Sequence, residues 1–99
     1  MAELRLSERA LDDLEEIFFY TIEKFGLVQA EHYKSLIEAG LARVAEDPRL
    51  GHPIEGRTKT FFQYNCERRG IFYTNEVNAI FVVRVLHLSM DFKRHLPEA

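Results

Sequence analysis

The chain has 99 residues, of which 46% are hydrophobic and 29% charged, with a net charge of −3. That composition fits one folded domain over residues 1–99 and excludes a disordered chain. An acidic balance argues against a protein that coats nucleic acid, no apolar run approaches the ~20 residues of a membrane span, and a single cysteine, Cys66, excludes an internal disulfide and a Cys-based zinc cluster.

The start, Met-Ala-Glu-Leu-Arg, has no apolar signal-peptide core, so the expected compartment is a reducing cytoplasm. Leu4 and Leu6 alternate with Glu3 and Arg5, the pattern of a short amphipathic strand. Ser7 then offers an N-cap hydroxyl. Glu8, Asp12 and Asp13 follow where a helix N-terminus favours negative charge. Ala10, Leu11, Leu14, Ile17, Phe18, Ile22 and Phe25 recur at helical spacing, and Gly26 stands at the cap position. A second stripe of Ala30, Tyr33, Ile37, Leu41 and Val44 runs up to Pro48, which predicts an antiparallel helical hairpin. Gly40 interrupts this second helix, and close approach of another backbone, helix 1 first of all, is the expected reason.

Residues 48–60 hold two prolines and two glycines and read as a long surface loop. Phe62, Tyr64 and Cys66 alternate with polar residues, Ile71 to Thr74 is β-prone, and residues 75–78 supply a turn. Residues 79–87 are the most hydrophobic stretch, as in a strand buried on both faces. The expected fold is α+β in the order β-α-α-β-β-β, with the helical hairpin on one face of a small antiparallel sheet.

Simple alternation puts Phe81, Val83, Val85 and His87 on one face of the last strand. Ile80, Val82, Arg84 and Leu86 fall on the other. One hairpin covers one face, which leaves an apolar surface around Arg84 for a partner; the alternative is that the tail, through Met90, Phe92 and Leu96, folds back over it. Arg84 itself must find water or a carboxylate, either Asp91 or Glu67 within the chain or an acidic group of a partner. Charge is uneven: residues 1–47 carry five Lys/Arg against eleven Asp/Glu, and residues 48–99 carry eight against five. A basic second half suits an acidic partner. His32 and His52 lack ligand spacing, so no metal is expected.

Three stretches together resemble the ParE family of the RelE/ParE toxin superfamily, the toxins of type II toxin–antitoxin pairs. They are Ser7 to Ile17 with its Asp-Leu pair, Phe25-Gly26 with Gln29-Ala30 and Tyr33, and Arg84-Val-Leu-His87 followed by Met90-Asp91 and His95-Leu96. Ile71 and Tyr73 resemble the family's Ile-x-Tyr strand. The resemblance implies a RelE/ParE-like fold and a bacterial plasmid-stabilisation toxin that inhibits DNA gyrase by stabilising its cleaved-DNA complex. A ParD-like antitoxin would neutralise it in a hetero-oligomer, with no cofactor and no catalytic residue.

The antitoxin-binding residues expected on this basis are Ile80, Val82, Arg84 and Leu86, flanked by Arg49, Arg57 and Arg68; the gyrase-binding residues are His87, Met90, Asp91, Lys93 and Arg94. Leu88 and Ser89 stand where many relatives carry a basic residue. The alternatives are a RelE-like ribosome-dependent mRNA endoribonuclease and a toxin-like binding module without toxic activity. Arg68, Arg69, Arg84, His87, Lys93, Arg94 and His95 would supply the nuclease with acid, base and phosphate-binding groups.

Overall fold

The computed structural model of the chain describes residues 2–56 and 59–97. Strand β1 (Glu3–Leu6) leads into α1 (Glu8–Phe25) and α2 (Leu27–Glu46). A 3-10 turn (Pro48–Leu50) follows, then β2 (His52–Glu55), β3 (Thr60–Cys66), β4 (Arg69–Glu76) and β5 (Ala79–His87), and a closing 3-10 turn (Phe92–Arg94). The five strands form one sheet in the order β1-β5-β4-β3-β2. β1 runs parallel to β5, and the other pairs are antiparallel. The sheet is therefore mixed and carries one strand more than the expected order. That strand, β2, lies in the segment read as loop; as a short edge strand it tolerates Pro53, whose missing N–H would break a central ladder.

Local signals explain the hairpin. The Ser7 side chain accepts a hydrogen bond from Ala10 N at 3.0 Å and opens α1. Ala10, Asp13, Ile17 and Thr21 then face inward on one stripe. Gly26, at φ 89°, closes α1 and begins α2 with no linker. A Cβ there would meet nothing within 4 Å, so only its backbone angle requires glycine. Gly40 has the opposite reason. A Cβ on it would lie 2.6 Å from Cys66 Sγ and 3.1 Å from Cys66 Cβ, so its neighbour is β3 and not helix 1 as the sequence suggested. Gly40→Ala should thus destabilise the fold by ~1–3 kcal/mol through overpacking, less the ~1 kcal/mol alanine gains in a helix. Adding Cys66→Ala should restore stability in urea denaturation, and failure of that rescue would contradict the contact.

Two apolar layers result. On the helical side, Ile71, Tyr73, Ile80, Val82 and Val85 pack against Ala10, Ile17, Ile37, Leu41 and Val44. Tyr73 sits at the base of this layer, where its hydroxyl donates to Pro48 O at 2.6 Å and accepts from Gly51 N at 3.0 Å. On the far side, Phe61, Phe72, Val83 and Leu86 pack with Leu96, and Ile54, Phe81 and Phe92 flank them. This arrangement corrects the expected division of β5. The register with β4 shifts between Phe72 and Tyr73, so Tyr73 faces Val82 and Phe72 faces Arg84. The inserted residue reverses the alternation beyond Val83, leaving Val85 on the helical side and Leu86 on the far side. The far side is also closed. The C-terminal segment folds back, Phe92 stacks on Phe72 with ring centroids 5.4 Å apart, and Leu96 is 6% exposed. The tail, and not an outside molecule, covers this face within the described chain.

Candidate functional site

β1 pairs only with Ala79–Val82, so the second half of β5, paired with β4 on one edge, has no strand on the other. Side chains from the start of α1 close that edge. Ser7 Oγ donates to Val83 O at 2.8 Å, and the Asp13 carboxylate accepts from Val85 N at 2.9 Å. Arg84 reaches the same carboxylate with two hydrogen bonds of 2.8 Å, one to each oxygen. Its remaining terminal nitrogen donates to His95 O at 3.2 Å and so fastens the tail. Arg84 and Asp13 are both 8% exposed. The hydrogen bonds to Asp13 hold the guanidinium's pKa above its ordinary value, against the opposing effect of burial.

Three of the concave surfaces lie on the helical hairpin or along the β5 edge. An apolar groove of about 240 Å³ runs between the helices, lined chiefly by Leu14, Ile17, Phe18, Ala30, Tyr33 and Ile37. No strand residue lines it, so it opens away from the sheet. Lys34 Nζ lies 5.6 Å from the Phe18 ring centroid, and Glu15 and Glu38 complete the charged rim. The second and third surfaces, of about 480 and 430 Å³, share Tyr20, Arg69 and His87 and together follow the open edge of β5 toward the tip of the hairpin. Among the described residues, no three His, Cys, Asp or Glu side chains converge as a metal site would require.

The sequence model for the ParE toxin of the type II toxin–antitoxin system parDE matches residues 4–92, a span that holds the Asp13–Arg84 clip and all three surfaces. Toxin ParE1 of Caulobacter vibrioides is 33% identical over 96 residues, covering 97% of this chain and 99% of that protein. The chain belongs to the ParE toxin family. Toxin ParE1 of Mycobacterium tuberculosis is 36% identical over 93 residues, covering 92% and 94% of the two chains. Two solved structures share the fold at 15% identity. A chain of the chromosomal ParDE toxin–antitoxin system from P. aeruginosa superposes with a TM-score of 0.75 over 88% of this chain and 96% of that one. A copper-bound mutant toxin from Helicobacter pylori gives 0.63 over 90% and 97%.

Within this ParE fold, the expected antitoxin residues are not gathered on a free face. Ile80 and Val82 are 0% exposed beneath the helices, and Leu86 is 3% exposed beneath the tail. Arg84 pairs neither with Asp91 nor with Glu67 but with Asp13. Arg49 is exposed after the end of α2 and pairs with Asp47 at 3.0 Å, which raises its pKa. Arg68 lies beside Tyr33 near the start of α2, ~20 Å of helix away, and Arg57 lies outside the described residues.

Of the expected gyrase residues, His87 and Met90 line the groove along the β5 edge. Asp91, Lys93 and Arg94 form the exposed 3-10 turn, where Asp91 accepts from Lys93 N at 3.2 Å. In the sequence, Asp13 has a local explanation at the helix N-terminus and Tyr33 is one member of an apolar stripe, so neither stands out. The helical stripe already contained both walls of the inter-helix groove, but nothing in it separated wall from core.

Proposed function

We propose that this ParE family chain is a cytoplasmic toxin that inhibits DNA gyrase by binding its cleaved-DNA complex, without catalysis of its own, and that a ParD-like antitoxin neutralises it. The observation that favours binding over RNA cleavage is the state of Arg84. Cleavage through the 2′-hydroxyl needs cations free to meet the developing phosphate charge. Arg84, the mid-strand cation of β5, is withdrawn from that role by its bonds to Asp13 and His95 O, which leaves only Arg68 and Arg69 as cations beside His87 in its groove.

The antitoxin surface proposed is the apolar groove between α1 and α2, which suits apolar side chains of an ordering segment. It replaces the sheet face, which the tail occupies. The gyrase surface proposed is the strand end and turn that carry His87, Met90, Asp91, Lys93 and Arg94. The test is a gyrase reaction on supercoiled plasmid, quenched with protein denaturant. Linear DNA should accumulate in proportion to added protein. Intact plasmid together with cut mRNA in a translating extract would overturn the proposal.

A further inference from the structure

The turn between β3 and β4 is built at a conformational cost. Glu67 and Arg68 occupy it at φ 53° and 65°, left-handed angles that two-residue hairpins normally give to Asn and Gly. Three contacts hold it: Tyr33 donates its hydroxyl proton to Glu67 O, Leu88 N donates to Arg68 O at 3.1 Å, and Arg69 Nε donates to the Tyr33 hydroxyl oxygen at 3.3 Å. The last contact fixes the Arg69 guanidinium and leaves both its terminal nitrogens without a hydrogen bond among the described residues. The Arg68 side chain likewise has no hydrogen-bond or ion-pair partner among the described residues.

His87 adds a third donor. Ser89 N donates to its Nδ1 at 3.1 Å, and Ser89 Oγ lies 2.7 Å from the same atom. A ring that accepts at Nδ1 carries its proton on Nε2, which has no partner among the described residues. Arg68, Arg69 and His87 line one groove with the rings of Tyr20, Phe25 and Tyr33.

We propose that this groove is a carboxylate subsite, taking one acidic residue of an extended peptide flanked by apolar side chains. Three sets of donors that the chain leaves to solvent converge on one groove and suit an anion, and a guanidinium held by Tyr33 offers a carboxylate two parallel hydrogen bonds. The surroundings select the anion. Glu16 lines the adjoining groove beside Tyr20 and Met90, and the first 47 residues carry a strong acidic excess. A phosphate backbone would meet that field at every linkage, whereas a peptide with a single carboxylate between apolar neighbours meets it at one point. The subsite rests on the antitoxin reading only for the origin of the peptide, which would continue from the segment in the inter-helix groove. The strained turn then has a purpose: Arg68 in place of glycine puts a cation at the mouth of the groove.

The test follows Arg69 Nε–H and the His87 ring by NMR during titration with acetyl-Leu-Glu-Phe-amide, acetyl-Leu-Gln-Phe-amide and octathymidylate. The glutamate peptide should shift both signals with saturation, and the glutamine peptide should bind at least ~10-fold more weakly, the loss of one charge-assisted pair. Arg69→Gln should abolish the shift of the His87 ring while the dispersed spectrum of the fold persists. Arg68→Gly should relieve the left-handed strain and raise Tm by ~4 °C while weakening the glutamate peptide severalfold. Equal binding of the two peptides, absence of shifts, unchanged affinity in Arg68→Gly, or preferential binding of octathymidylate would each overturn the subsite. Loss of gyrase inhibition would bear on the toxin reading and would leave these signals unmoved.

Discussion

Asp13→Ala is expected to be the most damaging single substitution in the chain. It leaves the Arg84 guanidinium buried without its carboxylate, a change that costs ~3–5 kcal/mol, and it orphans Val85 N–H for a further ~1–3 kcal/mol. Domains of this size stand only ~5–15 kcal/mol above unfolding, so the variant should be largely unfolded or marginal at 37 °C. Arg84→Met also leaves a buried charge, the Asp13 carboxylate, but should cost less, because that carboxylate keeps its bond to Val85 N. Urea denaturation of both variants checks the order. A loss below ~1 kcal/mol for Asp13→Ala would show that the carboxylate does not close the edge of β5. It follows that Arg84→Glu, which would face Asp13 with a second carboxylate, reports on folding before it can report on any partner.

The second large effect is expected at the tail. Leu96 is buried and Phe92 lies half-buried on Phe72, so the double substitution Phe92→Ala, Leu96→Ala should cost ~4 kcal/mol, below the sum of two fully buried truncations because the residues share one site. It should also expose Phe61, Phe72, Val83 and Leu86, the far-side layer. Binding of a hydrophobic dye to the native variant, with a fall in the urea midpoint, is the expected result. An unchanged midpoint without dye binding would mean that the tail does not cover the sheet.

The helices were legible because their signals are local. Ser7, the apolar stripes and Gly26 each act within a few residues of themselves, and the structure places both helices where they were read, although Leu11 and Phe25 of the first stripe are exposed and Asp13 and Thr21 are buried in it. The hydrophobicity of residues 79–87 also reported burial correctly, since β5 packs on both faces. What escaped depends on contacts far apart in sequence. Asp13 and Arg84 are 71 residues apart, and an acidic residue early in a helix already has a local explanation. The bulge opposite Phe72 exists only in the pairing of β4 with β5, yet it moves Leu86 to the face opposite Ile80 and Val82. β2 has only four residues and contains Pro53, so its composition reads as turn, and only pairing with β3 makes it a strand. The exposed face expected around Arg84 failed for both reasons together: the bulge redistributed the side chains, and the tail supplied the cover.

The decisive measurement is amide hydrogen exchange on the chain, free and in complex with a co-expressed ParD-like antitoxin. With an apolar groove between the helices and a sheet already sealed by its own tail, the antitoxin should slow exchange across residues 14–38 and leave the far-side amides of Phe61, Phe72, Val83 and Leu86 as they were. New protection in β3 to β5 on that far side, accompanied by release of residues 92–96, would contradict the account.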